Sequence, residues 1–180
     1  MRLRCSAQIH VNGALFRSTL ETPVGVLHLT VNGDGTLVEI LLPNRNPVAP
    51  SATASSAAKL GMRAACDQLQ EYFFGKRRIF DLRLEPAGSL FEQQVWAALL
   101  AVPYGATTSY GAIATELGLV NGARAVGRAN GANPIPIVIP CHRVIGSDGS
   151  LTGYGGGLPL KRTLLELEGA IPPEEPRLFA

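Results

Sequence analysis

The chain has 180 residues, 46% of them hydrophobic, and a formal net charge of +2 at pH 7. These totals predict a globular protein of one or two domains and exclude collagenous, disordered and disulfide-built classes. No apolar run is long enough to span a membrane, and the N-terminus lacks the apolar stretch of a secretory signal. Three widely spaced cysteines form no CxxC pair, which indicates a reducing compartment. We therefore expect a cytoplasmic protein.

The first half of the chain has the pattern of a small α+β lobe. Alternating apolar residues within residues 15–42, interrupted by an Asn-Gly-Asp-Gly turn signal, predict a small antiparallel sheet. Residues 43–58 are rich in Pro, Ala and Ser and predict a surface loop. Apolar residues at three-to-four spacing predict one long helix over residues 56–74, and alternation predicts a further strand over residues 79–84. We expect this lobe to occupy residues 1–85.

The second half is predicted to be a mainly helical domain over residues 86–172, followed by a tail at residues 173–180. Ser89 and Glu92 have the spacing of a capping box, which predicts the start of a helix. Trp96 within that helix is interpreted as a core residue. The last helix is predicted to begin near Pro159 and to end at Glu168.

Two short helices in this domain match the helix-turn-helix pattern. Ser109 caps the first, which ends at Leu117, and the second covers residues 123–130. The second helix combines very small residues, which permit close approach to another backbone, with Arg124 and Arg128 on one face. The pattern is equally typical of a tightly packed core helix with two solvated arginines.

The charged residues around this helix are all basic. No acidic residue lies between Glu116 and Asp148, whereas Arg124, Arg128 and Arg143 all do. A local basic face of this kind is what a nucleic-acid partner requires. We expect these three arginines to contribute to it.

The sequence predicts a stiff segment directly before Cys141. Prolines stand before, within and at the end of the β-branched run at residues 133–140, and Cys141, His142 and Arg143 follow directly. Nearby positive charge favours a thiolate, so a lowered pKa is predicted for Cys141. The alternative is a buried structural cysteine beside a surface His–Arg pair.

Four stretches together resemble the O6-alkylguanine-DNA alkyltransferase family. They are VPYGATTSYGAIA, RAVGRANGANPIPIV, IPCHRVIG and LTGYGGGLPLKRTLLELEG, which fall within residues 89–170. The resemblance implies a ribonuclease-H-like N-terminal lobe and a C-terminal domain that docks its helix-turn-helix in the minor groove of double-stranded DNA. It also implies base flipping, followed by irreversible transfer of the alkyl group from O6-alkylguanine, with O4-alkylthymine as an open second substrate.

The resemblance assigns roles to individual side chains. Cys141 matches the alkyl acceptor, His142 its base acting through a water, and Glu168 the carboxylate that orients the histidine. Tyr110 matches the tyrosine that assists rotation of the guanine, and Arg124 matches the arginine that enters the vacated stack.

Further positions complete the implied site. Asn133 matches the residue that ties the turn after the recognition helix to the active-site segment. Val144, Tyr154 and Gly155 match the wall of the alkylguanine pocket. The other candidate DNA-binding or substrate-binding positions are Ser109, Ala123, Ala125, Gly127 and Pro136.

Three departures from the family pattern are visible. Only Cys5 resembles one of the zinc ligands found in some members, and a structural zinc site needs four, so no metal is predicted. No organic cofactor is expected either, and we expect a monomer. Mammalian members carry a bulkier side chain at the position of Asn130 and a serine at Gly155, which leaves the preferred adduct size open.

The same residues bear on three other functions. A related group of non-catalytic proteins binds alkylated DNA with a tryptophan in place of the cysteine, and Cys141 argues against that group. A helix-turn-helix transcription regulator would leave Cys141 and His142 without a role. A cysteine hydrolase would turn over repeatedly, whereas an alkyltransferase stops after one event.

Overall fold

The N-terminal lobe is built on a four-stranded antiparallel sheet in the order β1-β2-β3-β4. The structure, a computed structural model, describes residues 5–6, 15–43 and 54–174. The strands are β1 (Cys5–Ser6), β2 (Phe16–Thr22), β3 (Gly25–Val31) and β4 (Leu37–Leu41). The last three form the predicted antiparallel sheet. Strand β1 is too short to show a periodic pattern, and the sequence does not predict it.

Helix α1 (Ser56–Phe73) packs against the sheet. Ser55 caps it by accepting a hydrogen bond from the N–H of Ala58 (2.9 Å), and Gly75 follows its end in the left-handed conformation (φ 68°). The predicted long helix is thus confirmed. Its buried face carries Ala58, Met62, Ala65, Cys66, Leu69, Tyr72 and Phe73.

The predicted strand over residues 79–84 is wrong. This segment is extended, and Phe80, Leu82 and Leu84 are half-buried as the alternation predicts, but it joins β4 only through one isolated bridge, Leu37 to Leu84. The reason lies in α1, where the side-chain amide of Gln68 hydrogen-bonds both the N–H and the carbonyl of Asp81 (2.8 Å each). These backbone groups are therefore not available to a strand ladder.

The second half is mainly helical, as predicted. Ser89 and Glu92 form the capping box of the first helix, and Trp96 is buried there, with its indole N–H donating to the carbonyl of Ala129 (2.8 Å). Two short strands of this half, Thr108–Ser109 and Val144–Ile145, pair in parallel. A 3-10 turn directly precedes the second of them in the chain. The elements are α2 (Leu90–Ala101), β5 (Thr108–Ser109), α3 (Tyr110–Glu116), α4 (Ala123–Gly131), the 3-10 turn (Cys141–Arg143), β6 (Val144–Ile145) and α5 (Leu158–Leu167).

One cluster of buried apolar residues runs through both halves, from Phe16 in β2 to Leu164 in α5. The division at residues 85 and 86 stays a prediction. Residues 44–53 of the predicted surface loop and residues 175–180 of the tail lie outside the described residues. Within the described ranges, no helix has the length and apolar character needed to cross a membrane.

Candidate active site

The segment before Cys141 is held by two hydrogen bonds of one side chain. The amide nitrogen of Asn133 donates to the carbonyl of Ile139 (2.8 Å), and its oxygen accepts from the N–H of Ile135 (3.0 Å). Between them Ile137 adopts a φ of 75°, which is a strained conformation for a β-branched residue. Cys141 therefore leaves a stiff, buried segment, as the sequence predicts.

Cys141 borders a cavity of about 460 Å³, a volume typical of small-ligand pockets. The cavity lies between β4, the C-terminal part of α4 and the glycine-rich loop before α5. Seven of the predicted site residues line it: Tyr110, Gly127, Asn133, Pro136, Cys141, Tyr154 and Gly155. The cavity has the position and size of a pocket for the group that reacts with the thiol.

The thiol of Cys141 does not have the predicted lowered pKa. Burial raises its pKa to about 11, and this outweighs the opposing effects of the Asn133 side chain, the Lys161 ammonium group and two backbone N–H groups. The prediction relied on positive charge from His142 and Arg143. His142 is neutral, because burial lowers its pKa below the usual 6.5, and the guanidinium of Arg143 is paired elsewhere.

Glu168 accepts hydrogen bonds from four other residues through its two carboxylate oxygens. Its Oε1 accepts hydrogen bonds from the phenol of Tyr72 (2.8 Å), Nε2 of His142 (2.8 Å) and Nη2 of Arg143 (3.0 Å). Its Oε2 accepts from Nε of Arg143 (2.8 Å) and the N–H of Gly105 (3.3 Å). The structure therefore brings His142, the residue after Cys141, into direct contact with Glu168.

Arg143 corrects a second prediction. Only 6% of its surface is exposed, and it binds Glu168 through two nitrogens and the carbonyl of Val102 through a third (2.6 Å). It is therefore not part of a basic face for a nucleic acid. Arg124 and Arg128 remain exposed, as predicted.

The proton on His142 can be placed from its partner. Burial alone would raise the pKa of Glu168, but hydrogen bonds from His142 and Arg143 hold it at about 2. The carboxylate is thus ionised and can only accept hydrogen bonds, so Nε2 of His142 carries the proton. Nδ1 is left as the basic nitrogen and has no protein partner among the described residues. This tautomer can accept a proton at Nδ1.

Lys161 is a functional candidate that the sequence interpretation missed. Its side chain is 0% exposed, and Nζ donates to the carbonyls of Val144 (2.5 Å) and Thr152 (2.6 Å). Burial lowers its pKa to about 8, while the nearby Cys141 acts in the opposite direction. The available signal was spacing, since Lys161 stands three and seven residues before the buried Leu164 and Glu168.

The helix-turn-helix lies beside the cavity. Ser109 caps α3 through a hydrogen bond from the N–H of Ala112 (3.1 Å), and the phenol of Tyr110 donates to the carbonyl of Thr152 (3.4 Å). In α4, Arg124 is exposed on a helix whose neighbouring positions are small. Ala123, Ala125 and Gly127 are half-buried, and Val144 is buried.

Comparison with known proteins agrees with the fold. The family profile for the 6-O-methylguanine DNA methyltransferase DNA binding domain matches residues 90–170, and the profile for its ribonuclease-like domain matches residues 15–86. A methylated-DNA–protein-cysteine methyltransferase of Mycobacterium tuberculosis is 47% identical over 161 residues, covering 89% of this chain and 96% of that protein. One of Methanosarcina barkeri is 44% identical over 154 residues, covering 86% and 97%.

A solved crystal structure also matches the fold of this chain. The crystal structure of Mycobacterium tuberculosis OGT in complex with DNA matches with a TM-score of 0.75 at 45% identity, covering 84% of this chain and 91% of that one. The chain therefore combines a ribonuclease-like domain with a C-terminal domain of the DNA-binding class, and the predicted fold class is confirmed. It belongs to the 6-O-methylguanine DNA methyltransferase family.

Proposed function

We propose that this protein repairs DNA by accepting the alkyl group of an O6-alkylguanine on Cys141. The observation that carries the proposal is the position of Cys141, which borders a ligand-sized cavity and is followed in the chain by a neutral His142 that is hydrogen-bonded to an ionised Glu168. The small-residue helix α4 forms part of the same cavity. Family membership supports the same reaction.

The chemistry needs a base, because a thiol with a pKa of about 11 is neutral at physiological pH. Nδ1 of His142 takes the thiol proton through a water, while Glu168 holds the ring by its other nitrogen. The sulfur then forms a bond to the alkyl carbon as the bond from that carbon to O6 breaks. The electron pair stays on guanine, which gains a proton at N3. The thioether product is stable, so each molecule acts once.

The target base has to leave the duplex, since its O6-alkyl carbon cannot be reached in line within the stack. We propose that α4 enters the minor groove, where Ala123, Ala125 and Gly127 allow close approach and the exposed Arg124 fills the gap. Tyr110, on the cavity wall, assists rotation and hydrogen-bonds the extruded guanine. Ser109 supports this surface by capping α3.

The remaining roles concern the pocket. Asn133 holds the active-site segment to the turn after α4, and its two hydrogen bonds support that role. Pro136, Tyr154 and Gly155 border the cavity, where they would contact the base and its adduct. Val144 supports the pocket through its carbonyl, which Lys161 binds.

The reaction as proposed requires neither metal nor organic cofactor, because a purine is a stable leaving group once it is protonated. The protein would act as a monomer on double-stranded DNA in the cytoplasm. O4-alkylthymine presents the same kind of O-bound carbon to the thiol and is a second candidate substrate.

The proposal is tested by incubating the protein with an excess of duplex that contains O6-methylguanine and measuring the intact protein mass. We expect every molecule to gain one methyl group and the repaired duplex to stop accumulating after one equivalent. Continued turnover would indicate a hydrolase, and an unchanged mass in the presence of binding would indicate a non-catalytic protein.

A further inference from the structure

One carboxylate oxygen of Glu168 serves three hydrogen-bond donors. Its Oε1 accepts from the phenol of Tyr72 (2.8 Å), Nε2 of His142 (2.8 Å) and Nη2 of Arg143 (3.0 Å). Tyr72, His142 and Glu168 are all buried. The three bonds therefore form out of reach of bulk water, where each is electrostatically stronger than at the surface and a change in one is felt by the others.

Tyr72 is a constant donor to this oxygen. Its ring belongs to the buried face of α1 and packs against the rings of Phe80 and Tyr104, with centroid distances of 5.5 and 6.2 Å. Burial and the charge of Glu168 raise the pKa of its phenol well above 10. The phenol therefore keeps its proton over the whole range in which His142 can change its charge.

Donors that share one oxygen compete for its negative charge. The hydrogen bond from Tyr72 draws electron density from Oε1 and so weakens the attraction of that oxygen for a positive charge on His142. Glu168 raises the pKa of His142, whereas burial, Arg143 and Lys161 lower it. Removing the Tyr72 donor strengthens the effect of Glu168, so it should raise the pKa of His142.

The other charged and titratable groups around this carboxylate have partners of their own. Tyr104 donates to the carbonyl of Leu167, and the guanidinium of Arg78 lies over its ring, 5.6 Å from the centroid. Lys161 donates to two backbone carbonyls. Among the described residues, the groups that act electrostatically on Glu168, on His142 or on their tyrosine neighbours are Tyr72, Arg78, Tyr104, Cys141, His142, Arg143, Tyr154, Lys161 and Glu168.

We propose that Tyr72 is a positioning residue of the transfer reaction: by sharing Oε1 of Glu168, it limits how strongly the carboxylate stabilises a protonated His142. The inference rests on the proposed function and extends its proton-transfer site into the N-terminal lobe. No step is added to the reaction. The thiol proton still goes to Nδ1 of His142, and Tyr72 keeps its own proton throughout. Tyr72 determines the pH down to which the imidazole remains a free base.

The test measures the pKa of His142 directly, by NMR titration of its imidazole in the wild type, Tyr72→Phe and Tyr104→Phe. Tyr72→Phe removes only the donating oxygen, and Tyr104→Phe removes a neighbouring phenol that bonds a backbone carbonyl. We expect the midpoint of His142 to rise by about half a pH unit or more in Tyr72→Phe and to stay in place in Tyr104→Phe. The acid limb of transfer from free O6-benzylguanine should move by the same amount, which lowers the rate there, relative to the plateau, by about threefold.

A midpoint that does not rise in Tyr72→Phe, or that rises equally in Tyr104→Phe, overturns the inference, and so does an acid limb of transfer that stays in place. If Tyr72→Phe does not fold, 3-fluorotyrosine at position 72 decides the matter with almost the same shape. Its more acidic phenol is a stronger donor and should lower the midpoint of His142, so an unchanged or raised midpoint overturns the inference.

The titration and the transfer assay keep the two claims apart. Alkyl transfer by the wild type with no effect of Tyr72 on the titration of His142 would overturn the role of Tyr72 alone. A titration that moves as expected in a wild type and variant that transfer no alkyl group, from O6-benzylguanine or from duplex carrying O6-methylguanine, would overturn the proposed function itself.

Discussion

The phenol of Tyr72 donates a hydrogen bond of 2.8 Å to Oε1 of Glu168, 96 residues further along the chain. Tyr72 lies in α1 of the N-terminal lobe, whereas Glu168 ends α5 and accepts from His142. The N-terminal lobe thus supplies one of the donors that hold the carboxylate in place. Burial raises the pKa of Tyr72 well above 10, so the phenol keeps its proton over the physiological range.

Removing this donor should destabilise the protein. Tyr72→Phe takes one hydrogen bond from a buried carboxylate, and bonds to charged groups contribute about 1.5–3 kcal/mol each. Urea unfolding at pH 7 measures the loss. The matched control is Tyr104→Phe, which removes a bond to the neutral carbonyl of Leu167 and should cost about 0.5–1.5 kcal/mol. Equal losses for the two variants would show that Tyr72 has no special link to the carboxylate.

The pKa of His142 predicts the acid side of the rate profile. Burial lowers that pKa from 6.5, although Glu168 acts in the opposite direction, so the imidazole is a free base at pH 6.5 and above. Transfer from free O6-benzylguanine, which needs no DNA, should fall with acid only below pH 6.5, as Nδ1 becomes protonated. An acid midpoint above 6.5 would contradict the assignment of His142 as a base with a lowered pKa.

His142 and Glu168 should act as one unit in this step. His142→Ala removes the base, and Glu168→Gln replaces the carboxylate that fixes its tautomer. Each should slow transfer from O6-benzylguanine, and the double variant should lose much less than the product of the two effects. Independent, multiplicative losses would show that the two residues do not serve the same step.

Short-range sequence patterns account for the elements that were predicted correctly. The capping box at Ser89, the cap at Ser109 and the alternation in β2 to β4 are all short-range patterns, and the corresponding elements are present. The resemblance added the grouping of Cys141 with distant Glu168, which no local pattern contains.

The predictions that were wrong have a common cause: contacts between residues that are far apart in the chain. Arg143 looks like a surface charge in the sequence, yet Glu168 lies 25 residues away and buries it. The predicted strand over residues 79–84 is prevented by a side chain of α1. Lys161 would be placed in solvent by its residue type, whereas two backbone carbonyls hold it inside. The raised pKa of Cys141 follows from the depth of burial, which a sequence does not report.

Arg124 separates base flipping from simple attraction to phosphate. It is exposed near the start of α4 and has small neighbours, so its side chain can reach deep into a groove. If it fills the gap left by the guanine, Arg124→Ala exposes an unstacking cost of a few kcal/mol. The saturated transfer rate from duplex should then fall by orders of magnitude, while transfer from free O6-benzylguanine should barely change.

Arg128→Ala is the matched control, because Arg128 is also exposed and lies one turn further along the same helix. It should weaken binding to DNA, with about a tenfold loss for each 1.4 kcal/mol, and leave the saturated rate unaltered. The flipping role of Arg124 would be disproved by a saturated rate equal to that of the wild type. Loss of both reactions in Arg124→Ala would instead indicate a structural arginine.

The central claim is that Cys141 is the alkyl acceptor, and peptide mapping after reaction tests it most directly. The protein is incubated with duplex carrying O6-methylguanine, digested, and analysed for the peptide that gains the methyl group. We predict one methyl on the peptide that holds Cys141, and no transfer by Cys141→Ser, because a serine hydroxyl is a far weaker nucleophile at neutral pH. Methyl on the peptide of Cys66 or Cys5, or full transfer by Cys141→Ser, would contradict the account.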